Sequence, residues 1–110
     1  MERGEVWWAR LPAPIGTRPV LLLSRSQAYR VRRSVTIALI TTTMRNIPVE
    51  VPLGPEDGMP RPCVVNCDEV HTIALPLIDN RIMALSAEKM EAVASAVRFA
   101  LDVECESPTP

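Results

Sequence analysis

Three short apolar runs constrain this chain more than any other feature: Arg18-Pro19-Val20-Leu21-Leu22-Leu23-Ser24, Ile40-Thr41-Thr42-Thr43 and Val64-Val65-Asn66-Cys67-Asp68. Runs this short and this branched, each starting or stopping at a polar residue, are what strands look like where they leave a core at the rim of a sheet. Before them, Val6, Trp8 and Arg10 alternate with Glu5, Trp7 and Ala9, which predicts a first strand. Pro12, Pro14 and Gly16 break it, and Pro19 opens the next run, where its missing N–H does least damage to a ladder. Val20 to Leu23 is continuously apolar, so the second strand is expected to be buried on both faces.

The polar stretch Ser24 to Arg30 is expected to make one helical turn, and the branched run Val35 to Thr41 a third strand. Pro48 to Val51 alternates in polarity and predicts a fourth. Leu53 to Pro62, which holds Gly54, Pro55, Gly58, Pro60 and Pro62, is a loop. Strand character resumes at Cys63 to Cys67 and continues, with a bend, from Glu69 to Leu75; Arg81 to Leu85 is the last strand. Ser86 is an N-cap candidate with Glu88 in the first turn, and Met90, Val93, Ala94, Val97 and Leu101 recur as the apolar stripe of a terminal helix. The pattern is mainly β: a small, strongly curved antiparallel sheet or partly open barrel closed by one C-terminal helix. Residues 1–103 form the single domain, and 104–110 read as a disordered tail.

No apolar run of about 18 residues is present and the start of the chain carries Glu2 and Arg3, so a soluble, unexported, cytoplasmic protein without membrane contact is expected. Cys63, Cys67 and Cys105 with the lone His71 make neither a disulfide framework nor a metal site, and no cofactor is expected. Net charge is −1, yet residues 1–50 carry eight arginines against three glutamates, while the rest carries four cations against ten acids. That asymmetry suits one basic face for a phosphate backbone or an acidic peptide. Eleven of the twelve cations are arginine, which fits bidentate phosphate binding and equally fits a genome rich in G and C.

Together with the opening Arg3-Gly4-Glu5-Val6-Trp7-Trp8, the three runs resemble the MazF/PemK toxins from about Arg3 to Leu101. The resemblance implies an SH3-like barrel, usually a homodimer. It also implies a sequence-specific, metal-independent endoribonuclease that cuts single-stranded RNA and is inhibited by a cognate antitoxin with an acidic, disordered segment. In the family, the arginine of the Arg-Pro-Val segment and the threonine of the Ile-Thr segment are the catalytic pair, matching Arg18 and Thr41. The PemK-like branch adds an aspartate from an Arg-Cys-Asp segment, matching Asp68, but this chain has Asn66 in place of that arginine.

Metal-free RNA cleavage needs a proton acceptor for the 2′-hydroxyl, a proton donor for the leaving oxygen and fixed positive charge for the phosphorane. Guanidinium and hydroxyl are poor acceptors at neutral pH, so Asp68 is expected to take the proton, Arg18 to stabilise the phosphorane and Thr41 to hydrogen-bond the phosphate. Each has a plainer alternative: a solvated rim arginine, a strand threonine, an Asx turn. His71 suits acid–base or RNA contact but could equally be a structural partner. Of Trp7 and Trp8, opposite faces leave one for stacking on RNA bases, and Trp7 is the candidate. Arg30, Arg32, Arg33 and Arg45 are candidates for guiding the RNA backbone. Two rivals remain on the same barrel: a CcdB-like gyrase poison, disfavoured by the non-aromatic end Ser107-Pro108-Thr109-Pro110, and a module that only binds RNA or antitoxin.

Overall fold

The runs of branched residues do become strands, and in the computed structural model, which describes residues 1–26, 31 and 33–103, they form one curled antiparallel sheet. The strands are β1 (Glu5–Arg10), β2 (Thr17–Leu22), β3 (Ser34–Thr41), β4 (Glu50–Leu53), β5 (Cys63–Ala74) and β6 (Ile78–Ala84), followed by helix α1 (Ala87–Leu101). Their spatial order is β4-β5-β3-β2-β1-β6, a half-barrel with β4 and β6 at its edges. The expected turn at Ser24 to Arg30 and the tail 104–110 lie largely or wholly outside the described residues.

Both faces of the sheet bury apolar side chains. Val6, Leu21, Ala38, Ile40, Val65 and Cys67 pack toward α1, which contributes Val93 and Ala96. The alternate residues Ala9, Val20, Leu22, Ile37 and Leu39 form a second cluster on the opposite face, flanked by Trp7, Leu11 and Ile15. This two-sided burial is why β2 and β3 read as unbroken apolar runs and not as alternating ones. Ser86 caps α1 as expected, its hydroxyl accepting from the Lys89 amide at 3.1 Å. The stripe shifts slightly: Met90, Val97 and Ala100 join the core, whereas Leu101 stays exposed.

Three strand boundaries differ from the sequence reading. β2 begins at Thr17, three residues before Val20, where its ladder with β1 starts opposite Arg10. β4 starts two residues late and contains Pro52, which an edge strand tolerates because only one side of it is hydrogen-bonded. β6 begins at Ile78 instead of Arg81, paired to Ala9 of β1 through an irregular ladder. The hairpin between β1 and β2 is closed by a 3.2 Å bond from the Leu11 amide to the Gly16 carbonyl, and Gly16 supplies the left-handed φ of 73° that the turn needs.

Candidate active site

The second and third strands set the geometry. Val20 lies opposite Leu39, and the same register carried two residues further brings Arg18 level with Thr41 on the same face. Both side chains line a groove of about 370 Å³ with Ile15, Leu39, Thr43, Arg45, Asn66 and Glu69, a volume within the range of ligand clefts, roughly 300–1,000 Å³. They also line a second groove of about 410 Å³ with Trp8, Pro19, Met59, Pro60 and Arg61. The two grooves meet at the rim of the sheet, and Arg18, Thr41 and Thr43 belong to both.

Local bonds hold these groups in place. The Arg18 Nε donates to the Ile15 carbonyl at 3.2 Å, so the hairpin loop fixes the stem of the guanidinium. The Thr41 hydroxyl accepts from the Thr43 amide at 3.1 Å, which leaves its own proton to be donated. One Glu50 oxygen accepts from the amides of Arg45 and Asn46, at 2.8 and 3.1 Å, and pins the turn that carries Arg45.

β5 carries a large bulge at the bend that the sequence predicts. Leu39 pairs with Asn66, but its neighbour Ala38 pairs with Val70, so Cys67, Asp68 and Glu69 are extra residues in the ladder. An odd insertion reverses which side chains face which way. Before the bulge Cys63 and Val65 pack toward α1; after it Val70 does, and Ile73 joins the other face. The bulge therefore places Glu69, not Asp68, in the groove with Asn66, Arg18 and Thr41. Asp68 is exposed and lines neither groove; its amide donates to Asn66 Oδ1 at 3.0 Å.

Trp7 lines neither groove: its indole packs against the second cluster and donates to Glu5 Oε1 at 3.0 Å, whereas Trp8 is exposed and lines the second groove. Arg45 lies in the first groove, and Arg61, which sequence reading passed over inside a proline-rich loop, lies in the second. Arg33 is exposed but borders neither groove, while Arg30 and Arg32 fall outside the described residues. His71 is exposed on β5 and its Nε2 lies 3.2 Å from Glu69 Oε2.

The grooves are electropositive. Among the described residues Arg18, Arg45 and Arg61 form no ion pair, and Glu69 is the sole carboxylate lining either groove. No cluster of three His, Cys, Asp or Glu side chains stands together among the described residues. Burial, with Asp68 adding to it, pushes the Cys67 thiol up to about 11, and burial beside Asp57 raises that of Cys63, which lines the second groove.

Residues 2–101 match the family of PemK-like, MazF-like toxins of type II toxin–antitoxin systems. The chain belongs to this family. Among curated relatives of this MazF/PemK toxin, the probable endoribonuclease MazF5 of Mycobacterium tuberculosis is 41% identical over 101 residues, covering 91% of this chain and 92% of the relative. Endoribonuclease MazF3 of the same species is 38% identical over 87 residues, 79% of this chain and 84% of its own length. In three dimensions this toxin superposes on M. tuberculosis toxin MazF-mt6 with a TM-score of 0.85 at 35% identity, covering 92% and 99% of the two chains. It is also similar to a mycobacterial endoribonuclease solved with its cognate antitoxin, at a TM-score of 0.84, 25% identity and coverage of 96% and 99%. The curled sheet with one terminal helix expected of a MazF/PemK toxin is the fold observed, and its named relatives do not favour the gyrase-poison alternative. No helix among the described residues is long and apolar enough to cross a membrane.

Proposed function

We propose that this toxin is a metal-independent endoribonuclease that cuts single-stranded RNA at a short sequence, with the scissile phosphate held at the rim where the two grooves meet. The observation that carries this reading is that Arg18 near the start of β2 and Thr41 at the end of β3 both line each of the two grooves, with Arg45 lining the first and Arg61 the second. The Arg18 fork binds the phosphate oxygens and stabilises the phosphorane. Thr41, whose oxygen already accepts the Thr43 amide, donates its proton to a phosphate oxygen. Attack of the ribose 2′-oxygen then leaves a cyclic phosphate on one fragment and a 5′-hydroxyl on the other. Trp8 offers a stacking face for an adjacent unpaired base, and Arg45 and Arg61 guide the chain on either side.

A similar mycobacterial endoribonuclease is solved with its cognate antitoxin, which supports an antitoxin as partner of this chain; the basic grooves suit an acidic, disordered segment of such a partner. A homodimer is the expected assembly by resemblance to the family, and its mass in solution tests that. For activity, purified protein is incubated with structured and unstructured RNAs in excess chelator. Discrete cuts with 5′-hydroxyl ends in the unstructured RNA are the expected result. Intact RNA, or undiminished cutting by Arg18→Ala, overturns the reading.

A further inference from the structure

We propose that Glu69 accepts the 2′ proton in this reaction, the task that the sequence motif assigns to Asp68. The inference rests on the ribonuclease reading above and deepens it. Three observations support it. The bulge at Cys67, Asp68 and Glu69 reverses the phase of β5, so the carboxylate sharing the groove with Arg18 and Thr41 comes from position 69, while Asp68 lies outside both grooves. His71 Nε2 contacts Glu69 Oε2 at 3.2 Å, which leaves Oε1 without a hydrogen bond among the described residues. Finally, the other polar groups of that groove are three hydroxyl or amide side chains, Thr41, Thr43 and Asn66, and the two guanidiniums, none of them a base at neutral pH.

A carboxylate weakens a phosphate-binding groove by like-charge repulsion, so its presence beside Arg18 and Arg45 fits a role in turnover better than one in affinity. The step balances as follows. The 2′-hydroxyl gives its proton to Glu69 as its oxygen forms the new bond to phosphorus. The bond from phosphorus to the 5′-oxygen breaks, and that oxygen leaves with the electron pair and takes a proton from water, its developing charge stabilised by the Arg18 guanidinium. Glu69 then returns its proton to solvent, restoring the starting state.

The test compares the unaltered protein with Glu69→Gln and Asp68→Asn in excess chelator. Two quantities are read: the cleavage rate on single-stranded RNA, and the affinity for the 2′-deoxy analogue of the same strand, which lacks the attacking hydroxyl. Thermal melts confirm that both variants are folded. Loss of a general base costs typically 10²–10⁴-fold, so Glu69→Gln is expected to cut at least about 10²-fold more slowly while binding the analogue as tightly or more tightly. Asp68→Asn is expected to stay within about threefold of the parental rate, as suits a carboxylate outside the grooves. Parental cleavage by Glu69→Gln overturns the assignment and leaves the ribonuclease intact; so does a loss of rate matched by an equal loss of affinity, or a slow Asp68→Asn. An unaltered protein that leaves every RNA whole overturns both.

Discussion

Asn66 holds the Asp68 amide through a 3.0 Å hydrogen bond to its own Oδ1, within the bulge that places Glu69 in the same groove as Arg18. Asn66 is nearly buried, at 8% exposure, so its amide group is a structural part of the groove wall as well as a lining residue.

Asn66→Ala should therefore act twice. Losing this bond to the exposed Asp68 is expected to cost about 1 kcal/mol of stability, read as a lower midpoint in urea unfolding. The same variant should cut RNA more slowly than its loss of folded protein explains, because the bulge no longer fixes Glu69. A variant with full activity per folded molecule would separate the bulge from the chemistry.

Arg18→Lys and Thr41→Val test the pair at the rim. Lysine keeps the charge but loses the fork, and valine keeps the branched shape that β3 requires while deleting the hydroxyl. Removal of one preorganised donor costs about 10²–10³-fold in turnover in comparable sites, and a loss of that order is expected in each, with melting temperatures little changed. Thr41→Val cleaving at the parental rate would show that the hydroxyl donates nothing to the phosphate.

The two tryptophans should part company. Trp8→Ala is expected to weaken binding of the 2′-deoxy strand by about 1–3 kcal/mol, the usual worth of a base stacked on an aromatic ring. Trp7→Phe removes the indole bond to Glu5 and should cost stability, on the order of 1 kcal/mol, while leaving strand binding unchanged. Equal binding losses would place both rings against the nucleic acid, contrary to the faces they occupy.

Stability should decline at alkaline pH. The Cys67 thiol is raised to about 11 in the fold from an ordinary value of 9.0, so the folded state holds its proton more tightly than the unfolded chain does. Its contribution is complete below about pH 9 and is lost as pH climbs through 11, by an amount on the order of 1–2 kcal/mol. Urea unfolding at pH 8 and pH 10.5 measures it, and Cys67→Ala should flatten the difference.

Much of this was legible in the residues. The branched runs gave β1, β2 and β3, the Ser86 cap and the Met90, Val93, Val97 spacing gave α1, and the short motifs singled out Arg18 and Thr41. What stayed hidden follows from two physical facts. Both faces of the sheet bury apolar side chains, so alternation could separate Trp7 from Trp8 without saying which of them faced the groove. And the size of a bulge has no compositional mark: the residues around Asp68 predict a bend, but not that three extra residues in the ladder decide which carboxylate enters the site. Pro52 and Arg61 were obscured differently, each sitting in a proline-rich stretch that reads as irregular chain although one lies in an edge strand and the other in a groove wall.

The free flank of β4 illustrates how few atoms can guard a half-barrel. An open sheet edge invites another extended chain to add to it, and here Pro52 offers no amide along the strand while its carbonyl is plugged by the ammonium of Lys89 at 2.7 Å. The sole lysine in a sequence otherwise committed to arginine thus works as a stopper, helping molecules of this toxin pass one another without zipping together along that border.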